Sequence, residues 1–530
     1  MNFPFSRRTS GSFILEHTHK RNGSILIVTA FLFLAFGTLA LGLIFISQVY
    51  LKISGYGKHS SLLDYGSENG IKEGFHHLLS AVANAPLPAV ITEERYAELR
   101  DDAQSSGSLL AEEAAGLRFP VQLQAQEERM IWRSRTDCQL QDVVEGEGFI
   151  LARFALPVQA EGRLRNLTFS RSSSLDVKVE VLAGHVPLST IPFLLDKNLP
   201  PEERDSFREE NGITFLPSSR EILPPRMSFA EEALIPQDAT ALLEKALDIE
   251  IFRPQDISAS RLRSVLGLEE SKEPVPEGVY LIRNDLGLGG IYVQGDVEEI
   301  IAAIEGSFQV VSFRMEGGVW TLKYRPSQSQ TVFQSPEGEE AFDLVPLGII
   351  IVNGKVLSLG GGLVDEGGNV RLITDQEVPS LLPGISLTLV ASGKITITSH
   401  LLQQGITWQD GVPYVKSEQT QVVIFSTGRD LWGEEAREGG VVISQDAPQD
   451  LKIQAALTAG GGGIRIEGEE KMLRLLGSIQ TTEFVSSGRR LELTPWPPNA
   501  DGNGRPLYGP QTTQPVLFIS RFSAAAWKEY

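Results

Sequence analysis

The sequence predicts an α+β chain with a single N-terminal transmembrane helix, a mixed α/β middle region and a β-rich C-terminal body. Three observations carry that expectation: a charge-free apolar block near the start, a polar stretch dotted with prolines in the middle, and a long succession of short apolar runs parted by Gly-containing turns. The 530 residues suffice for several domains. Their 47 Lys and Arg against 67 Asp and Glu give a net charge of −20, which disfavours a nucleic-acid partner, since phosphate affinity comes from basic side chains. The single cysteine, Cys138, excludes an intramolecular disulfide framework and a Cys-cluster zinc site.

The first element is the apolar block. Asn22 to Leu51 holds no charged residue, and Ile25 to Ile46 is almost wholly apolar. At 1.5 Å per residue this makes about 33 Å of helix, enough for a hydrocarbon core of about 30 Å. Arg7, Arg8, Lys20 and Arg21 outweigh Glu16 before the block, so the positive-inside tendency leaves residues 1–21 in the cytoplasm as a basic leader. Residues 1–51 hold four basic and one acidic residue; the rest keeps 43 basic against 66 acidic, an exported part of charge −23. A cleaved secretory signal would have a shorter apolar region and a small-x-small exit, whereas this run ends in Ser47-Gln48-Val49-Tyr50-Leu51. The expectation is a retained anchor with the lipid bilayer as its first partner.

The juxtamembrane stretch continues the helix, so that residues 22–85 form one membrane and juxtamembrane segment. Ile71, Phe75, Leu78, Leu79 and Val82 recur at helical spacing, and Gly66, Gly70 and Gly74 stand four apart. Interior Gly costs about 1 kcal/mol each in a helix. Three in register therefore point either to close packing against another backbone or to a loosely helical hinge. Pro86 and Pro88 close the segment.

The flanks of the anchor carry a resemblance. Lys20-Arg21-Asn22-Gly23-Ser24-Ile25-Leu26-Ile27-Val28 resembles the entry of a type IV prepilin-like segment, where a dedicated peptidase cuts after a leader-terminal Gly. Carried over, the cut falls between Gly23 and Ser24. Leu63-Asp64-Tyr65-Gly66-Ser67-Glu68-Asn69-Gly70-Ile71 and the following Phe75 to Leu79 resemble the segment after the anchor in the PilX N-terminal family. The matching motif residues are Tyr65, Glu68 and Gly70, with Ser67 where the family usually has Ala. Major pilins carry a Glu five residues into the mature helix, and here that position is Val28. The resemblance thus implies a PilX-like minor or assembly component at the bacterial cytoplasmic membrane, with other pilin-like subunits or a pilus assembly platform as partners.

Beyond the anchor, residues 86–197 read as an exported α/β region, with an acidic helix at Glu93 to Glu113 and strands at Leu167 to Phe169 and Val177 to Val181. Residues 198–277 read as a polar, proline-containing connector that wraps the body, with helices near Ala239 to Leu247 and Ser258 to Leu266. Residues 278–339 read as a small α/β unit: strands at Val279 to Ile282 and Gly290 to Val293, a helix at Val297 to Ile304, and a hairpin turning at Glu316-Gly317-Gly318. In residues 340–530, the strand-rich region with its C-terminal tail, the strands Gly348 to Val352 and Ile385 to Val390 lead through Asn353-Gly354 and Ser392-Gly393 into further strands. Recurrence at about 20 residues favours a right-handed β-solenoid, with a sandwich as the alternative.

Chemistry is sparse. The seven histidines show no H-E-x-x-H spacing, and no G-x-S-x-G elbow or phosphate-loop motif is present. No catalytic residue and no resident cofactor are expected. Asn499, Asp501 and Asn503 resemble the first half of a calcium loop, but the closing Glu position falls at Pro510, so a plain polar loop competes with calcium. A polysaccharide-binding or -cleaving β-helix would need Asp, Lys and Arg stacked on one face, and Lys355, Lys394 and Arg465 look scattered. The main expectation is a non-enzymatic, membrane-anchored component of a pilus-like assembly or secretion system. A bitopic envelope scaffold unrelated to pili is the other alternative.

Overall fold

The computed structural model describes residues 22–84, 87, 89–126, 130–146, 149–165, 170–187, 191–197, 199–216, 227–229, 235, 237–249, 257–285, 287–409, 411–415, 421–431, 436–495 and 513–529. The basic leader and the calcium candidates Asn499, Asp501 and Asn503 lie outside these. The chain divides into two compact units, one of Met1–Gly70, Gln124–Arg133 and Ala160–Ser172, the other of Ile71–Leu123, Ser134–Gln159 and Ser173–Tyr530.

A helix runs unbroken over Asn22–Asn84, and its residues up to Gly70 belong to the first unit. It is the one helix among the described residues long and apolar enough to cross a membrane. Phe36, Leu39, Leu41, Leu43, Ile44, Phe45 and Ile46 are all exposed along it. Such a face is costly in water and at home in lipid. From Leu63 the helix becomes one-sided: Leu63, Gly66, Ser67 and Gly70 are buried, while Tyr65 is 52% exposed. Burial every three or four residues is the signature of a helix laid on a surface.

The chain is 49% strand and holds a large β-rich body. An antiparallel sheet orders the strands Ala89–Val90, Thr513–Glu529, Ser170–Pro187, Phe149–Leu164, Met130–Thr136 and Val121–Gln126, with Gln139–Gly146 paired to Phe149–Leu164. The C-terminal tail is thus a strand of this sheet, in register from Thr513 opposite Pro187 to Glu529 opposite Ser173. Everything from residue 191 to 495 is inserted between two neighbouring strands. The acidic helix expected over Glu93 to Glu113 is two helices, Glu93–Ala103 and Ser108–Ala115. Gly107 breaks it with φ of 63°, and the Asp102 carboxylate accepts from the amides of Leu109 (2.8 Å) and Leu110 (3.1 Å).

The inserted body stacks parallel strands. Ile349–Asn353, Ser386–Ala391, Gln421–Ser426, Asp450–Ala459, Met472–Thr481 and Arg490–Thr494 form one parallel series; Glu299–Glu305, Val356–Val364, Ile395–Ile397, Val441–Ile443, Ile464–Ile466 and Phe484–Ser486 form a second. A short third series pairs Pro379–Leu381 with Leu402–Gln403, and Leu401 bridges to Ile453. The chain turns from the first series to the second at Asn353-Gly354 and Ser392-Gly393. One continuous apolar core, including Leu389, Ile424, Leu457, Ile395, Val441 and Ile464, fills the space between them.

The segment Val297 to Ile304, expected as a helix, is the strand Glu299–Glu305. Ile300 and Ala302 face the main core while Ile301 and Ala303 face a second cluster with Val310 and Val370. Burial on both faces makes a continuous apolar run, which loses the period-two signal that marks a strand. The expected hairpin pairs Phe308–Met315 with Gly318–Arg325, and two more antiparallel strands, Gln330–Ser335 and Gly338–Phe342, extend it.

The described parts of the connector lie along the last strands of the stack and on its outer face. Phe193–Leu195, just before it, lies parallel to Met472–Thr481, and Ile213–Phe215 lies parallel to Arg490–Thr494. Helix Pro201–Glu210 brings Phe207 to 6.5 Å from Phe484 on the last strand of the second series. Helix Thr240–Leu247 lies on the outer face of the first series, where Leu242, Leu243 and Ala246 join Ile282, Tyr292, Ile349 and Ile351 in a second apolar cluster, and Asn284 donates to the Ala246 carbonyl at 2.9 Å. Open strand edges invite pairing with other chains, and Ile213–Phe215 occupies the edge of Arg490–Thr494.

Candidate functional site

The glycines of the juxtamembrane helix meet strands of their own chain. A Cβ on Gly66 would overlap the Met130 thioether, and one on Gly70 would stand 2.7 Å from the Ala160 Cβ. On the strand side, a Cβ on Gly162 would come within 2.7 Å of the Leu63 carbonyl and the Ser67 amide. Within the second unit, a Cβ on Gly74 would meet the Ser134 hydroxyl and lie 2.6 Å from Val158. Phe75 packs its ring 6.3 Å from that of Phe522 on the C-terminal strand. Asp64 binds Arg171 at 2.8 Å. Of the family-motif residues, Gly70 is therefore at a strand contact, Tyr65 faces outward, and Glu68 is half-buried. Gly23 and Ser24 lie in the first turn of the helix. By contrast, Gly37, Gly42, Gly55 and Gly57 have open space around them.

The other single residues of interest stay apart. His76 and His77 are both exposed. Burial pushes the Cys138 thiol up to about 12, with Asp102 adding to the shift, so it is a poor nucleophile.

A denser constellation lies on the body. In the strands Asp450–Ala459, Met472–Thr481 and Arg490–Thr494, the side chains of Leu451, Ile453, Leu473, Leu475, Leu491 and Leu493 enter the core. Period two sends the residues between them outward. Register then sets Lys452 opposite Arg474 and Arg474 opposite Glu492. Asp450 links the two cations: its Oδ1 accepts from Arg474 Nε at 2.7 Å and its Oδ2 lies 3.7 Å from Lys452 Nζ. Arg474 also binds Glu492, and Lys452 also binds Glu377. His400 closes the group, its Nδ1 accepting from the Lys452 amide at 3.1 Å. Burial is the largest influence on His400 and holds its pKa below the ordinary value; Glu377 opposes that shift and Lys452 reinforces it.

The next outward row sets Gln454 and Thr494 either side of Leu476. Gln454 is 1% exposed and accepts from the Gln403 amide at 2.6 Å, yet its Nε2 has no partner. Thr494 is 2% exposed, and its hydroxyl has none either. Immediately after Gln403, Ile406–Gln409 and Val412–Val415 form a hairpin. Its tip, Gly411 at φ of 82°, comes so close to Arg474 and Glu492 that a Cβ there would stand 3.1 Å from Glu492 Oε2. Trp408 on this hairpin has a buried, unpartnered indole N–H.

None of these residues was among the candidates drawn from the sequence. Lys355, Lys394 and Arg465 do not join them; Lys355 and Lys394 instead share Glu438, at 2.8 and 3.7 Å. The missed signal is a triplet of apolar, charged, apolar residues that recurs as Leu451-Lys452-Ile453, Leu473-Arg474-Leu475 and Leu491-Glu492-Leu493. Comparison of the chain with protein-family models, curated proteins and solved structures finds no match in any of the three.

Proposed function

We propose that this chain is a single-pass, non-enzymatic component of a type IV pilus-like assembly or secretion system, which holds an acidic β-rich body outside the cytoplasmic membrane. The observation that supports it best is the division of labour along one helix. Its first half presents an exposed, charge-free and mostly apolar surface from Phe36 to Leu51, while Gly66 and Gly70 further on are used up in contacts with the chain's own strands. A helix of that kind partitions into lipid at one end and carries its own folded body at the other. Lateral packing with other pilin-like helices then falls to the membrane half, where Gly37 and Gly42 are open.

On this reading the basic residues before Asn22 stay in the cytoplasm and the body of charge −23 is exported, its charge serving solubility. The parallel series, whose coils recur every 20 to 40 residues or so, are read as a right-handed β-solenoid. The PilX-like resemblance adds leader removal between Gly23 and Ser24. Replacing Gly23 by Glu and following the mass of the membrane-bound chain tests it. A wild-type chain that starts at Ser24 and a Gly23→Glu chain that keeps its leader support the reading; identical anchors of full length in both overturn it.

A further inference from the structure

We infer that the outward face of Asp450–Ala459, Met472–Thr481 and Arg490–Thr494, under the hairpin Ile406–Val415, is a binding site for a neutral, linear oligosaccharide. This goes beyond the proposed anchoring role and does not depend on it. The first ground is the pair of rows already described, one charged and one uncharged, stacked at the strand spacing of about 4.8 Å. The second is independent: Gln454 Nε2, the Thr494 hydroxyl and the Trp408 indole N–H are all buried without a partner. Native proteins leave few such groups, and each carries a folding cost. Gln454 and Thr494 share one row of this face, and Trp408 stands on the hairpin whose tip rests on the neighbouring row, so the three mark a place where bonds are completed from outside the chain.

The chemistry of the groups selects the occupant. Two are N–H donors, and the third is a hydroxyl that both donates and accepts. A ligand rich in hydroxyls satisfies all three kinds of group. An ionic ligand is disfavoured, because Lys452 and Arg474 are already paired with Glu377, Asp450 and Glu492, and the set carries one excess negative charge. Rows repeating along the stack suit a polymer with repeating hydroxyls. Trp408 and the half-exposed Tyr414 supply aromatic surface beside them. The hairpin tip rests on Arg474 and Glu492, so the hairpin is the element such a ligand displaces.

The test is calorimetric titration of the detergent-solubilised full chain with cellohexaose, maltohexaose, chitohexaose and xylohexaose, and with polygalacturonate as the polyanion. The variants are Gln454→Met and Thr494→Val, which remove the unpartnered groups at nearly constant volume. The inference requires that at least one neutral hexasaccharide binds, and that each variant weakens it tenfold or more while the thermal midpoint of Thr494→Val holds or rises; Gln454→Met also loses the bond from the Gln403 amide and melts lower for that reason. It is overturned if no hexasaccharide binds, if polygalacturonate is the only ligand, or if the variants bind like wild type. A Thr494→Val chain that binds less but also melts lower overturns it too, since the hydroxyl would then be partnered within the fold.

Discussion

Lys452 and Arg474 stand directly opposite each other on neighbouring parallel strands, and Asp450 reaches both, at 3.7 and 2.7 Å. Two like charges in register repel, so this row depends on its carboxylates.

Removing Asp450 is therefore more harmful than its half-exposed position suggests. Asp450→Asn is expected to lower stability by about 1 kcal/mol, more at low ionic strength than at high. Denaturant unfolding at two salt concentrations checks this. A loss that ignores salt would show that the carboxylate acts only as a hydrogen-bond acceptor.

Gly70 faces the Ala160 Cβ too closely for any side chain. Gly70→Ala is expected to cost about 1–3 kcal/mol through overpacking, although Ala favours the helix. Ala160→Gly in the same chain frees the space, so the double variant recovers much of the loss. Thermal melts of the two single variants and the double variant measure the coupling, and additive losses would exclude the contact.

His400 sets a sign for acid stability. Its pKa in the folded chain lies below 6.5, because burial penalises the charged ring and the Lys452 ammonium adds to that shift. Above 6.5 the ring is neutral in both states and costs nothing. As the pH falls below 6.5 the unfolded chain takes up the proton first, and stability drops until the folded ring also titrates. Glu377, Asp450 and Lys452 face the ring, so His400→Asn, which keeps an acceptor, leaves them in place and is expected to flatten the stability profile just below pH 6.5. An unchanged acid limb would contradict this.

Among the described residues Arg489 is the largest fully buried side chain, with Nε and Nη1 unpartnered and only the Ala447 and Pro448 carbonyls, at 3.4 and 3.1 Å, accepting from Nη2. Burial pushes its guanidinium down to about 10. Replacing a buried charge by an apolar side chain of similar size is often neutral or stabilising by about 1–4 kcal/mol. Arg489→Met is thus expected to melt at or above wild type, whereas Arg489→Ala, which leaves a cavity, melts lower. Equal losses in both would show that the two carbonyl bonds hold the corner.

The parts of the fold that were legible in the sequence are those with local signals. The anchor stood out because Asn22 to Leu51 lacks charge, and the connector helices at Thr240–Leu247 and Ala259–Val265 have apolar periodicity. The strand Glu299–Glu305 was misread because both its faces are buried. The return of Thr513–Glu529 to the strand Ser170–Pro187 is a pairing across hundreds of residues, and no local pattern encodes it. The charged row was hidden for the same reason. Lys452, Arg474 and Glu492 come together only once parallel register is known, and irregular coil lengths erase their period.

The central claim is an anchored helix with an exported body. Protease digestion of spheroplasts carrying the full chain with a C-terminal epitope, followed by separation of the membranes, tests it most directly. The account requires that the intact chain sediments with the membrane and that external protease removes the epitope without detergent. An epitope protected until detergent is added, or a chain found in the soluble fraction, would contradict it.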